Sequence, residues 1–220
     1  MKKKVFAIIP AYNEEKHIGS VVNATKKYVD KVIVVDDGSK DRTKKMAEKS
    51  KAIVLRHLVN LGKGAALKTG CDYAVKNKAD IVIAIDADAQ HDPKEIPKFL
   101  EKIKRCDIVL AYRKLNKNMP FVLKLGNRFI NKTINFLYGI KIKDSQCGYR
   151  AFTAKAYKRL RWNESDYSME SEMIAKMGKH KLSYTEIPIE TIYSDKYKGT
   201  TIIDGIKIVF NLLLWKLNNL

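Results

Sequence analysis

Five short apolar runs, each closed by polar residues or proline, alternate with amphipathic stretches over the first half of the chain. The runs are Val5 to Ile9, Lys31 to Val35, Ala52 to Leu55, Ile81 to Ile85 and Asp107 to Ala111. They are rich in Val and Ile and show little polar alternation, the pattern of strands covered on both faces of a parallel sheet. Between them, Glu15 to Tyr28 places Ile18, Val21 and Val22 at helical spacing, and a second helix follows Asp41, which can cap it. A third runs through Ala65, Ala66, Leu67, Ala74 and Val75, and a fourth from Pro93 to Lys104. Strictly alternating strands and helices predict an α/β fold: a Rossmann-like, mostly parallel sheet with right-handed crossovers, flanked by helices.

After Ala111 the rhythm changes. Residues 120–138 read as an amphipathic helix with Lys124, Arg128, Asn131 and Asn135 on one side and Val122, Leu125, Phe129 and Phe136 on the other. Ala151-Phe152-Thr153 reads as the opening of another helix, and Tyr184 to Ile192 as a late strand interrupted by Pro188. Residues 201–217 form an apolar helix whose only charges are Asp204, Lys207 and Lys216. No repeat or linker is visible, so residues 1–200 are expected to form one domain, with 201–220 a C-terminal apolar helix that packs on it or lies at a membrane interface. Its longest charge-free apolar stretch, Ile208 to Trp215, is far short of the roughly 18 residues of a spanning helix.

Composition narrows the partners. Hydrophobic residues make up 45% and charged residues 30% of the chain, as in a globular domain, but 43 basic against 24 acidic side chains give a net charge of +19. That excess attracts polyanions: nucleic acid, anionic lipid head groups or phosphorylated substrates. Outside Lys2 to Lys4 no basic run stands out, and no aromatic residues interleave with arginine as a single-strand binder requires, so nucleic acid is not the expected partner. Cys71, Cys106 and Cys147 lie far apart without zinc spacing and read as reduced packing residues of a cytoplasmic protein. Val5 to Ile9 is too short for the core of a signal peptide.

The chemistry concentrates at strand ends, where ligands of open α/β sheets bind. Ile81 to Ile85 runs into Asp86-Ala87-Asp88-Ala89-Gln90-His91. Residues two apart in extended chain point the same way, so Asp86 and Asp88 aim together and Gln90 can join them. Two carboxylates and an amide oxygen suit Mg²⁺ or Mn²⁺, and through it a phosphate group; otherwise the carboxylates merely end a strand and cap the helix after Pro93. The first strand-to-helix turn, Pro10 to Glu15, lacks the glycines of a dinucleotide fingerprint. Gly62-Lys63-Gly64 lacks Walker spacing, and Asp36-Asp37-Gly38-Ser39 is too short for a calcium loop.

Taken together, Pro10-Ala11-Tyr12-Asn13-Glu14, Asp36-Asp37-Gly38-Ser39, Asn60-x-Gly62-x-Gly64 and Asp86-Ala87-Asp88-x-Gln90-His91 occur in order at successive strand ends. This set resembles family 2 glycosyltransferases of the GT-A fold. Asp144-Ser145-Gln146-Cys147-Gly148-Tyr149-Arg150 is similar to the branch of dolichyl-phosphate mannose and glucose synthases. By position, the resemblance implies that Pro10, Tyr12, Glu14 and Asp37 hold the base and ribose of a nucleotide-sugar, with Asp86, Ala87 and Asp88 beside its diphosphate. It implies a Mg or Mn site of Asp86, Asp88 and Gln90, catalytic roles for Asp88, Arg113 and Arg128, and a loop lysine, Lys196, closing over the diphosphate where the family often has Arg. Arg150 is either a further cation of the site or a structural partner of a carboxylate.

The implied reaction is inverting transfer of a sugar from GDP-mannose, UDP-glucose or UDP-N-acetylglucosamine to dolichyl or another polyprenyl phosphate, by an enzyme peripheral at the cytoplasmic face of a membrane. A homo-oligomer is left open. A phosphate monoester, with a second pKa of about 6, is already a nucleophile near neutrality and needs no base. A rival enzyme with a sugar-hydroxyl acceptor would need one, and Asp144 is the available carboxylate. Two other rivals are a basic nucleic-acid-binding module and an inactive donor-binding subunit.

Overall fold

The computed structural model describes residues 2–113, 121–190 and 202–218, except for the side chains of 121–125 and 202–204. Lys196 lies outside these residues. The expected strands are present: β1 (Val5–Ala11), β2 (Lys31–Asp36), β3 (Ile53–Arg56), β4 (Ile81–Ala84) and β5 (Ile108–Arg113). Between them stand α1 (Ile18–Thr25), α2 (Thr43–Lys49), α3 (Lys63–Lys76) and α4 (Ile96–Lys102), the last preceded by a 3-10 turn over Pro93–Glu95. Asp92, rather than Asp86 or Asp88, caps that turn by accepting the N–H of Lys94. The two aspartates at the end of β4 are thereby free of the capping role.

Among the described residues one sheet has seven strands in the order β3-β2-β1-β4-β6-β5-β7, with β7 at Tyr184–Ile189. β1 pairs in parallel with β2 on one side and β4 on the other, so the chain leaves β1 at the point where strand order reverses. Alternation along β1 divides the interior. Phe6 and Ile8 pack with Leu67 and Cys71 of α3 on one face, while Val5, Ala7 and Ile9 pack with Ile18 and Val22 of α1 on the other.

The sheet differs from expectation at β6 (Arg150–Thr153), which the sequence reads as the start of a helix. It is antiparallel to both neighbours, β4 and β5. Four residues carry no readable period, and this strand exists because two already-formed neighbours offer it hydrogen bonds on both edges. The helix begins one residue later as α6 (Ala154–Leu160), capped by Thr153, whose Oγ1 accepts the N–H of Ala156. Pro188 sits on the edge strand β7, where a missing N–H is tolerated.

The remaining helices are α5 (Phe121–Tyr138), α7 (Met169–Lys179) and α8 (Ile202–Leu217). In α5 the protein side is built from Ile130, Ile134 and two asparagines, while Phe129 and Phe136 point outward at 59% and 88% exposure. Asn127 donates to Asp144, and Asn131 donates to the carbonyl of Lys143 and accepts the N–H of Ser145. α8 buries Ile208, Leu212 and Trp215 but turns Ile206, Phe210, Leu213 and Leu217 outward. Leaving such side chains in water forgoes roughly 1.5–3 kcal/mol each.

Candidate functional site

The loops after β1, β2 and β3 are tied to one another by side chains. The N–H of Asn13 donates to Ser39 Oγ, that of Lys40 to Asn13 Oδ1, and that of Glu14 to Thr43 Oγ1 at 2.8 Å. Asp36 is buried under β2, where it accepts the N–H of Ser39 and pairs with Arg56. Asp37 reaches across to the next loop: its carboxylate accepts the N–H groups of Leu61 (3.0 Å) and Gly62 (2.8 Å) and lies 2.6 Å from His57 Nδ1. His57 Nε2 is held in turn by Thr69 Oγ1 at 3.0 Å. Asp37 therefore faces the cleft with both oxygens already engaged, organising the turn that opens α3. Gly62, at φ 97°, is needed there, since a Cβ would meet the Ser165 carbonyl oxygen at 2.3 Å.

That turn delivers Lys63, the first residue of α3, to the end of β4. Its ammonium lies 2.8 Å from Asp86 and 3.1 Å from Glu170. Burial works against both charges of the Lys63–Asp86 pair, but each partner outweighs it: the lysine pKa is raised and that of Asp86 is lowered. Asp88 accepts the N–H of Gln90 across a turn in which Ala89 is left-handed at φ 62°. Burial, and then the neighbouring Asp86 charge, raise the Asp88 pKa. His91 Nδ1 stands 3.6 Å from Asp86 behind this corner, and burial lowers its pKa. Gly148 closes the other side so tightly that a Cβ would lie 2.7 Å from Asp86 and 2.8 Å from Lys63. Cys147 beside it is a packing residue, its thiol pushed up to about 12 by burial.

Arg113 and Asp144 form a two-pronged pair, with Nε donating to Oδ2 at 2.7 Å and Nη2 to Oδ1 at 3.0 Å. Asn127 and the N–H of Gln146 complete the shell of Asp144. Burial would raise this carboxyl, but Arg113 holds it below the ordinary carboxylate range. Arg150 is buried and donates to the carbonyls of Ser145, Cys147 and Glu170. It thus splints the 144–150 loop to the start of α7, through carbonyls rather than the carboxylate expected of a structural role.

An open cleft of about 550 Å³ lies over these loops, large enough for a nucleotide-sugar. Pro10, Tyr12, Glu14 and Asp37 line it together with Asp86, Ala87 and Asp88. Among the described residues Gln90, Arg113 and Arg128 do not line it; Arg128 stands exposed on α5. The wall also contains Asn60 and Lys63, which the sequence marks only as parts of loop motifs, and Asp166 and Tyr167, which it did not single out. The Gly-Lys-Gly triplet was a visible signal for Lys63, whereas nothing local marks Glu170, Asp166 or Tyr167.

The model of the family described as glycosyl transferase family 2 matches residues 6–161, which span the sheet from β1 to β6 and the loops after β1 to β4. The chain belongs to this family. A UDP-N-acetylglucosamine–dolichyl-phosphate N-acetylglucosaminyltransferase of Methanococcus voltae is 38% identical over 98% of this chain and 97% of its own length. A dolichyl-phosphate beta-glucosyltransferase of Trichomonas vaginalis is 31% identical over 83% of this chain and 64% of its own length. Among solved structures, glucosyl-3-phosphoglycerate synthase of Mycobacterium tuberculosis, in complex with Mn²⁺, UDP and glucosyl-3-phosphoglycerate, superposes with a TM-score of 0.74. That match covers 97% of this chain and 80% of the other at 19% identity, a likeness of fold. The mostly parallel α/β architecture expected of a GT-A glycosyltransferase is the one observed, with β6 as its antiparallel insertion.

In this family 2 glycosyltransferase the corner at β4 has the donors for a hard divalent cation. Lys63 is one ammonium against Asp86 and Glu170, while Asp88 is left with the Gln90 N–H and a raised pKa. A cation there would relieve the repulsion between Asp86 and Asp88. No group of three or more His, Cys, Asp or Glu among the described residues could hold it unaided, so further oxygens must come from substrate or water.

Proposed function

We propose that this glycosyltransferase moves a sugar from a nucleoside diphosphate donor to a polyprenyl phosphate, with inversion, from a peripheral position at the cytoplasmic face of a membrane. The names of the relatives support the two substrate classes, and UDP-N-acetylglucosamine is the donor favoured by the 38% identical relative. The observation that carries the reading is the state of Asp144. A sugar-hydroxyl acceptor needs a carboxylate to take its proton, and the candidate is held as an anion by both prongs of Arg113, with Asn127 and Gln146 on its remaining positions. The site offers oriented cations where a base would be required, which suits an acceptor that is already anionic.

In this reading the base and ribose lie between the Pro10–Glu14 turn and the Asp37 loop. The diphosphate lies toward β4, where Lys63 meets its negative charge. Mg²⁺ or Mn²⁺ held by Asp86 and Asp88 would supply charge stabilisation to the departing diphosphate. Arg113, held and aimed by Asp144, and Arg128 on α5 position the acceptor phosphate, whose oxygen attacks the anomeric carbon from the face opposite the leaving group. The outward apolar faces of α5 and α8 rest on the lipid that holds the acceptor, with the exposed Arg128, Lys132 and Lys216 near anionic head groups. No helix among the described residues is long and apolar enough to cross the bilayer.

The test is incubation with radiolabelled UDP-N-acetylglucosamine, UDP-glucose and GDP-mannose, Mg²⁺ or Mn²⁺, and dolichyl phosphate, followed by organic extraction. Label from at least one donor is expected in the lipid phase. Transfer to soluble sugars with none to lipid would falsify the proposal.

A further inference from the structure

α8 touches the donor cleft as well as facing outward. Lys207, on its first turns, pairs with Asp166, and Asp166 and Tyr167 are part of the cleft wall. The loop that carries them is also the seat of α3. The Ser165 carbonyl accepts the N–H groups of Gly64 (2.7 Å) and Ala65 (3.2 Å), and a Cβ at Gly64 would meet the Glu164 carbonyl oxygen at 2.5 Å. Trp162 donates to the Gly64 carbonyl from below, and the Tyr167 ring lies 5.9 Å from Lys63 Nζ. A continuous set of contacts thus runs from α8 through Lys207, Asp166 and the α3 N-terminus to Lys63 and Asp86.

Both partners of the Lys207–Asp166 pair are about half exposed, at 51% and 40%. In water such a pair is screened and holds the loop weakly. Next to a bilayer the effective dielectric falls and the same pair strengthens. The occupant of the outward α8 face is identified by chemistry: the face is apolar, and the chain that bears it carries a net charge of +19, which fits an anionic lipid surface.

From this we infer that Lys207 is a positioning residue that couples the seating of α8 on anionic lipid to the affinity of the donor cleft for a nucleoside diphosphate. The inference rests on the peripheral-membrane reading above and adds to it a regulatory consequence: the donor is bound more tightly where the acceptor is present. Linkage makes the effect reciprocal, so nucleotide must strengthen vesicle binding by the same factor.

The experiment is calorimetric titration of the full chain with UDP and Mg²⁺, with and without vesicles of one part phosphatidylglycerol to three parts phosphatidylcholine. Co-sedimentation with the same vesicles is measured in parallel. For the wild type, vesicles are expected to tighten UDP binding about fivefold, at the low end of allosteric couplings. Lys207→Met should co-sediment as the wild type does and lose the vesicle effect, and Lys207→Arg should restore it. Vesicle binding without any change in UDP affinity overturns the coupling and leaves the membrane reading standing, as does full coupling in Lys207→Met. No vesicle binding by the wild type overturns both, and no UDP binding under either condition overturns the donor-cleft reading along with them.

Discussion

The cleft side of this molecule and the side formed by α5 and α8 solve opposite problems. On the donor side, from β1 to β4, charged groups are neutralised or hydrogen-bonded internally: Asp36 by Arg56, Asp37 by His57 and two N–H groups, Asp86 by Lys63. On the side of α5 and α8, Asn127 and Asn131 of α5 face inward while Phe129 and Phe136 face out, and α8 buries one apolar face while exposing a second. Burying an unpaired charge costs far more than exposing a methylene group, so each arrangement tells what surrounds it in use. A preformed polar cleft awaits a water-soluble polyanion. A surface left apolar in water suits the lipid contact proposed above.

If this contrast is right, the largest effects belong to the polar corner. Asp88→Asn is expected to lower sugar transfer about 1000-fold while leaving the melting temperature near that of the wild type, because the residue contributes charge to the reaction rather than packing to the fold. Steady-state transfer and thermal melts check both halves of that statement.

Asp144→Asn should act on folding, lowering unfolding free energy by about 3 kcal/mol, since it removes the charge that both prongs of the largely buried Arg113 engage. The pH dependence has a definite sign. Arg113 depresses the Asp144 pKa from its ordinary 3.8, so the pair's contribution is complete above that value and is lost as pH falls through the folded-state value. Urea melts should show the wild-type advantage shrinking below about pH 4.

Gly148→Ala should weaken donor binding roughly tenfold by forcing apart Asp86 and Lys63, with a smaller effect on stability, because the nearest atoms are the ends of side chains. Phe136→Ser should change stability by no more than about 0.5 kcal/mol, as expected at a surface position, yet reduce co-sedimentation with vesicles severalfold. A marked loss of stability in that variant would mean that the α5 face is packed in solution, which breaks the contrast.

How much of this was legible in the sequence follows the same division. β1 to β5 and the Asp86–Asp88 pair could be read because run, breaker and chemistry lie within a dozen residues of one another. β6 could not, since its four residues are strand only by virtue of β4 and β5. The period of α5 was readable, but which of its faces packs on the protein was not: amphipathicity gives an axis and leaves open what lies on either side. Glu170 and Asp166 reach the cleft through the packing of α7 and its preceding loop against α3, a tertiary contact that no local motif announces. Lys63 lay in view within Gly-Lys-Gly and was passed over because the triplet matched no phosphate loop. Its work there is to face a carboxylate pair, which that pattern does not encode.

The central claim is that the end of β4 is where the donor's diphosphate is held. Anomalous diffraction from crystals grown with UDP and Mn²⁺ tests it most directly. The account predicts a manganese peak against the carboxylates of Asp86 and Asp88, with the diphosphate between the ion and Lys63. UDP bound elsewhere in the cleft, its diphosphate remote from β4 and no ion beside those carboxylates, would contradict it.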